Sequence, residues 1–403
     1  MTNYDIIIIG GGAAGFFTAI NAAEMKPGLK ILILERGKEV LTKVRISGGG
    51  RCNVTHAEFV PKELTRNYPR GEKELRGPFH SFMTGDTIGW FADRGIELKT
   101  EEDGRMFPVS DSSETIINCF LSEAERLKIQ VLKNHSVKKL GKQENKWIVE
   151  TSKGDFSAGK VMMATGSNPK IWKLLEGLGH SIVPAVPSLF TFNIKDVRIK
   201  GLAGISTYAE VKVKGEKLES DGPLLITHWG LSGPGILKLS AWGARELFAR
   251  NYQFQVEVNW LPGSDPEAML ENLKQLKLEQ AKQKVAKYAH FELPKRLWQS
   301  LVRASAIKED DIWADLTKAQ LRNLSLQLTK AEFQVNGKST FKEEFVTAGG
   351  VELKEVNFKT FESKLQPGLF LAGEVLNIDA ITGGFNFQNA WTGGYLAAKA
   401  MTE

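Results

Sequence analysis

The spacing of apolar positions changes several times along the chain and divides it into segments. Tyr4 to Ile9 (YDIIII) is an unbroken apolar run, the pattern of a parallel strand buried on both faces. A helical segment from Ala13 to Ala23 follows, then a second apolar run from Lys30 to Leu34. Strand, helix, strand within some thirty residues predicts a βαβ unit.

Beyond it, Thr84 to Asp93 predicts a helix, and 102–113 predicts a short hairpin leading to an N-cap. Ser110 or Asp111 is the expected cap of a helix from Ser112 to Leu127, with Glu114 supporting its first turn. A strand from Gln130 to Lys133 precedes a meander of Ser136–Leu140, Lys146–Thr151 and Asp155–Ala158. Lys160 to Ala164 predicts a further buried strand, and Ile171 to Gly179 a helix closed by glycine.

From Pro184 the character shifts. Two prolines and an apolar run (PAVPSLFTFNI) mark a boundary. Strand-like alternation covers Phe190–Ile194, Thr207–Lys214, Leu224–Thr227 and Gln253–Asn259, interrupted by a helix from Gly235 to Arg250. Residues 265–330 read as three helical stretches. The α/β character then returns, with a strand from Gly368 to Ala372 and a helix from Asn386 to Met401.

The expected architecture is therefore α/β: a Rossmann-type domain with an inserted β-barrel-like subdomain and an inserted helical subdomain. The expected boundaries are 1–188 and 346–403 for the Rossmann-type domain, 189–264 with 331–345 for the barrel-like part, and 265–330 for the helical part.

A chain of 403 residues accommodates this division. No apolar stretch approaches the roughly 20 residues of a membrane span, so no membrane association is expected. The first strand starts so early that no signal peptide is expected. Cys52 and Cys119 give no disulfide framework, and the six histidines show no zinc-ligand spacing, so no metal site is expected. The lack of a disulfide framework fits a reducing cytoplasm, the expected location. A net charge of +6 reads either as a solvated lysine-rich surface or as attraction to an anionic partner such as RNA. Lysines gather in 195–217 and 270–300 without an RNA-binding motif, and no stable protein partner is evident.

Chemistry enters at Gly10-Gly11-Gly12-Ala13-Ala14-Gly15, a G-x-G-x-x-G turn between the first strand and its helix. Gly10 permits the tight turn, Gly12 lets a pyrophosphate approach the backbone, and Gly15 lets helix and strand pack closely. The helix N-terminus offers free N–H groups and a positive dipole end. Glu35, closing the second strand, is placed to accept hydrogen bonds from a ribose. This motif alone does not separate FAD from NAD.

Three more features bear on that choice. Ser47-Gly48-Gly49-Gly50 lies between Arg45 and Arg51, a flexible backbone in a positive field, with Cys52 beside it. Ala164-Thr165-Gly166 ends a strand in small residues that permit close passage of a dinucleotide. Gly383-Gly384-Phe385-Asn386 opens the last helix, whose dipole suits the electron-rich edge of a flavin, and Asp379 is near enough to reach its ribityl chain.

These segments resemble the YhiN/BaiN-like flavoproteins, a bacterial NAD(P)/FAD-dependent oxidoreductase family also labelled aminoacetone oxidase family FAD-binding enzymes. The resemblance rests on IIIIGGGAAG (6–15), ISGGGRCNVT (46–55), GRMFPVSDSS (104–113), MATGS (163–167), LLITHWGLSGPGIL (224–237), VTAGGV (346–351) and LAGEVLNIDAITGGFNFQNAWTGG (371–394). It implies FAD bound by both chain ends. Phosphate contacts are expected from Gly12, Ala13, Ala14 and Gly15, with Gly10 in the turn and Glu35 and Arg36 flanking the ribose. Arg45, Gly50, Arg51 and Cys52 are expected along the pyrophosphate and flavin, and Val137 at the adenine. Thr165 and Gly166 close one side; Gly373, Glu374, Asp379, Gly384, Phe385 and Asn386 close the other.

The resemblance also implies reduction of activated carbon–carbon double bonds, in steroid-like bile-acid intermediates or in a uracil of ribosomal RNA. The leading expectation is an FAD-dependent oxidoreductase acting on a small-molecule substrate with NAD(P)H as donor. A ribosomal RNA uracil reductase and a non-enzymatic flavin-binding redox sensor are the alternatives. His228 and Cys52 are candidate catalytic proton donors, with Tyr395 a third. No second G-x-G-x-x-G is present, so NAD(P)H is expected to dock transiently at the flavin face.

Overall fold

The computed structural model describes residues 1–339 and 346–403; the end of the expected 331–345 barrel segment lies outside the described residues. The chain divides into two compact units, Met1–Val186 with Lys342–Glu403, and Pro187–Phe341.

The first unit is built on a sheet whose spatial order runs Val356–Asn357, Glu362–Ser363, Leu369–Leu371, Gly154–Met163, Thr2–Ile9, Ile31–Leu34, Gln130–Leu132. Its centre is parallel, with Ile6 opposite Ile31 on one side and Lys160 on the other, and Leu369 opposite Val161. The unbroken apolar runs are explained by this position. Ile6, Ile7, Ile8 and Ile9 are buried, and both faces of the strand are covered.

The first helix, Ala13–Met25, packs against the last, Phe385–Thr402. Gly394 allows the approach: a Cβ there would sit 3.1 Å from the Ala14 carbonyl oxygen. An aromatic cluster fills the space beside them, with the Trp391 ring 5.2 Å from Phe17 and 5.6 Å from Phe120. The two chain ends thus share one core.

Local differences from the sequence expectations have identifiable causes. The expected strands 155–158 and 160–164 are one strand, Gly154–Met163, because its N-terminal half pairs with Lys146–Thr151 and its C-terminal half lies between parallel partners. The helix after the hairpin is capped by Ser112, whose Oγ accepts from Glu114 N–H, rather than by Ser110 or Asp111; Ser110 bonds Thr115 Oγ1 instead. Part of the expected loop at 43–53 is helical from Thr42, and Ser47, Gly48 and Gly49 depart from helical angles.

In the second unit the sheet order is Ala331–Asn336, Gln253–Asn259, Ser206–Val213, Glu219–Ile226, Gly230–Ser232, Thr191–Asn193, Lys338–Ser339. The two outermost members are consecutive in sequence and separated only by Gly337, so the antiparallel sheet curls back on itself. The expected helix 235–250 is broken at Gly243 into Pro234–Trp242 and Ala244–Ala249. The helices Pro266–Glu279, Lys295–Ala304 and Lys318–Thr329 complete the unit, the last opened by a reciprocal Thr317–Gln320 cap. No helix among the described residues is long and apolar enough to cross a membrane.

Candidate active site

The glycine turn is formed by a close crossing of two strand ends. Gly10 has φ +115°, and a Cβ there would lie 2.3 Å from the Ala164 carbonyl oxygen. A Cβ on Gly15 would lie 2.0 Å from the Gly10 carbonyl oxygen. Both positions require glycine for packing. Gly12 differs, since an added Cβ meets no protein atom within 4 Å. It stands just before the first helix, which has no side-chain cap; the first backbone bond runs from Phe16 N–H to the Gly12 carbonyl. The amides ahead of Phe16 are therefore oriented for an external acceptor.

Two other turns converge on this helix start. Gly373 (φ +76°) is so placed that its Cβ would lie 3.6 Å from the Ala14 Cβ. A Cβ on Gly166 (φ +62°) would lie 3.6 Å from Glu374 Oε2. Thr165–Gly166 and Gly373–Glu374 therefore meet at the mouth of the glycine turn. Lys43 donates to Glu374 at 2.5 Å, tying the segment before the triple glycine to the same place.

Glu35 accepts from the backbone N–H of Gly11 at 2.9 Å and of Gly37 at 2.6 Å. Its carboxylate thus shapes the turn and is half-buried, and Arg36 is exposed. Val137 lies two residues after His135, whose backbone N–H bonds the Glu35 carbonyl at 2.8 Å.

Gly48, Gly49 and Gly50 take φ of +59°, +70° and +85°, a left-handed turn open only to glycine in succession. Added Cβ atoms on Gly49 and Gly50 meet nothing within 4 Å. Arg51 stacks on Phe107 at 3.9 Å and pairs with Glu101 at 2.5 Å and Asp111 at 3.5 Å, so it anchors the turn to the 98–108 hairpin. Arg45 pairs with Glu114, and its Nε is buried without a partner among the described residues. Cys52 is wholly buried, and burial pushes its thiol up to about 12; it remains protonated at neutral pH.

The last helix begins at Gly384 (φ +95°), without a side-chain cap of its own. Its surroundings hold residues that the sequence did not single out. With its amide turned so that the nitrogen faces the Thr55 carbonyl and the oxygen faces the Gly384 N–H, Asn53 bridges the two at 3.0 Å each. His56 Nδ1 lies 3.1 Å from the Gly383 carbonyl oxygen, and its ring packs on Phe385 at 4.4 Å. Asn386, one of the expected cofactor contacts, spends its amide on the backbone of Ala380, at 3.0 and 3.2 Å. Asp379 is fully buried and forms a two-pronged ion pair with Arg70. Asn53 lies within the ISGGGRCNVT segment but was not singled out, and Arg70 carried no sequence signal because its partner Asp379 lies 309 positions away.

His228 lies in the second unit, exposed in the Thr227–Gly230 turn beside Trp229. Tyr395 stacks on Phe82 at 4.5 Å, a packing role.

The first unit therefore presents an uncapped helix start with the Thr165–Gly166 and Gly373–Glu374 turns at its mouth, and an open glycine backbone at Gly49 and Gly50. This donor set fits the two phosphates and the extended shape of FAD. Fold and cradle define a Rossmann-type flavoprotein. The chain belongs to the HI0933-like protein Rossmann domain family, whose pattern it matches over residues 4–400. It is 29% identical to the ribosomal RNA dihydrouridine synthase of Haemophilus influenzae, covering 98% of both chains. It is 28% identical to the 3-dehydro-bile acid delta(4,6)-reductase of Clostridium scindens, also covering 98% of both. Among solved structures, the 3-ketosteroid-delta4-(5alpha)-dehydrogenase of Rhodococcus jostii superposes with a TM-score of 0.52 at 13% identity, covering 100% of this chain and 97% of that one, a likeness of fold. The protein is an FAD-dependent oxidoreductase.

Proposed function

We propose that the enzyme reduces a carbon–carbon double bond conjugated to a carbonyl, that its substrate is a uracil within RNA, and that NAD(P)H is the donor. The observation that carries the substrate choice is where the charge sits. Of the net +6, residues 187–341 carry +5, with 22 Lys and Arg against 17 Asp and Glu. On the helix Lys295–Ala304 the apolar side (Leu297, Trp298, Leu301, Val302) is buried, while Lys295, Arg296 and Arg303 are exposed with no acidic residue on that helix. Nearby in sequence, Lys287 Nζ lies 5.1 Å from the exposed Tyr288 ring. A cationic face with an accessible aromatic suits phosphates and a base.

FAD held at this site would supply the hydride for the carbon β to the carbonyl, and a proton would complete the α carbon. In this proposal Gly12 to Gly15 hold the phosphates, Glu35 the adenosine ribose, and the Gly48–Gly50 turn and the Gly384 helix start bracket the flavin. His228 delivers the proton. The relative from Clostridium scindens favours a second reading, a free enone of steroid-like shape. Mass mapping of dihydrouridine in RNA from a deletion strain tests the first: a missing site restored by the wild-type gene supports it, and an unchanged map transfers the proposal to the free enone. Rapid mixing with NADPH tests the donor, since flavin that keeps its colour rules it out.

A further inference from the structure

His56 stands at the start of the last helix and has no part in the chemistry described so far. A carbonyl oxygen only accepts, so its bond to Gly383 places the proton of the neutral imidazole on Nδ1. Nε2 is left with no hydrogen-bond partner among the described residues. The ring fits because residue 104 is glycine: a Cβ there would lie 2.6 Å from Nε2. On its other side the ring packs against Phe385, the first residue of the helix. Gly383, Gly384 and Phe385 form the turn assigned above to the flavin edge, and the present inference rests on that assignment.

We propose that His56 is a positioning residue whose imidazole takes up a proton when the flavin is reduced, and so couples the flavin's potential to pH. The balance is simple. Two electrons and one proton enter the flavin, and a second proton passes from solvent to His56 Nε2. The imidazolium then adds a positive charge at a helix end that already favours negative charge. By linkage, the negative charge of the reduced cofactor must hold that proton more tightly. Burial depresses the imidazole below its ordinary value in the resting protein, which keeps it neutral and able to respond. The charged groups around it are Asp103 and Glu58, which favour the imidazolium, and Arg105, which opposes it. Tyr68, donating to the Phe385 carbonyl at 2.6 Å, is raised well above its ordinary value by burial and stays neutral throughout.

The test uses FAD-loaded protein. The flavin potential is measured spectroelectrochemically from pH 5.5 to 8.5 for wild type, His56→Asn and His56→Gln. Imidazole titration is followed by NMR in wild type, oxidised and dithionite-reduced. Wild type is expected to show a slope up to about 30 mV per pH unit steeper than the variants, an extra factor of about ten per pH unit in the reduction equilibrium of a two-electron couple, which both variants lose. Reduction is expected to move the His56 titration upward. Equal slopes with an unmoved titration overturn the inference, and the titration decides it even where a variant does not fold. Asn53→Ala separates the two layers of argument. If it shifts the potential equally at every pH while His56 has no effect, only the His56 inference falls. If neither changes the potential, the flavin assignment of this turn falls with it.

Discussion

Gly10 and Ala164 occupy one crossing point, where a single added methyl would stand 2.3 Å from a carbonyl oxygen. Two residues further on, Gly12 faces open space. Gly10→Ala should therefore destabilise the fold, by about 1–3 kcal/mol from backbone strain alone, and lower flavin content as a result. Gly12→Val should leave the FAD-free protein within about 0.5 kcal/mol of wild type yet abolish the yellow colour. Urea unfolding and flavin absorbance measure both. A Gly12 variant that keeps its flavin contradicts the phosphate assignment.

Arg70 and Asp379 form an ion pair with the carboxylate fully buried. Arg70→Ala removes the guanidinium and strands that charge, so a loss of about 3–5 kcal/mol is expected. Arg70→Met with Asp379→Asn removes both charges together and should recover much of it. A denaturation series on the single and double variants checks this; equal losses would mean the pair is not coupled.

Burial holds the Cys52 thiol at about 12, above its ordinary 9.0. The folded state therefore binds this proton more tightly than the unfolded chain. Its stabilising effect is full below pH 9 and is lost progressively between about 9 and 12, with a slope of at most about 1.4 kcal/mol per pH unit. Cys52→Ala should flatten the fall in urea midpoint between pH 8 and pH 10.5. Alkylation of Cys52 in folded protein at pH 8 should be slow, and rapid labelling would contradict the buried, protonated thiol.

Reversing the basic face bears on the RNA proposal. The variant with Lys295→Glu, Arg296→Glu and Arg303→Glu should weaken RNA binding and reduce the slope of log affinity against log salt by about 2, given about 0.7 per phosphate contact on single strands. Filter binding across a salt series measures it. An unchanged slope places the RNA elsewhere or nowhere on this unit.

His228→Ala should slow product formation more than flavin reduction, because proton delivery follows hydride departure. Stopped-flow traces of each half-reaction are the measure. Equal rates would remove His228 from the proton path.

The backbone of the first unit was legible because it depends on local rules. Apolar runs bounded by glycine turns gave the parallel strands, and the Gly10–Gly15 spacing placed the helix start. The errors arose where tertiary contacts override local pattern. The strand Gly154–Met163 changes partners midway, and nothing in the sequence marks such a change. The triple glycine suggested a loose loop, although the flanking pairs of Arg45 and Arg51 fix it. The charge partners were illegible for a different reason: Arg70 and Asp379 are 309 positions apart, and only the fold brings them together. His56 carried no signal because a histidine beside a strand has many ordinary uses.

The strand Leu369–Leu371 and the helix Phe385–Thr402 come last in the chain, yet they complete the sheet and the core begun by residues 2–34. During translation the opening βαβ unit must wait, with part of its apolar surface exposed, until the whole inserted unit has been synthesised. If the Gly384 turn holds the flavin as proposed, flavin binding is expected only after the helix Phe385–Thr402 has been synthesised. A chain truncated before residue 385 is then expected to be colourless.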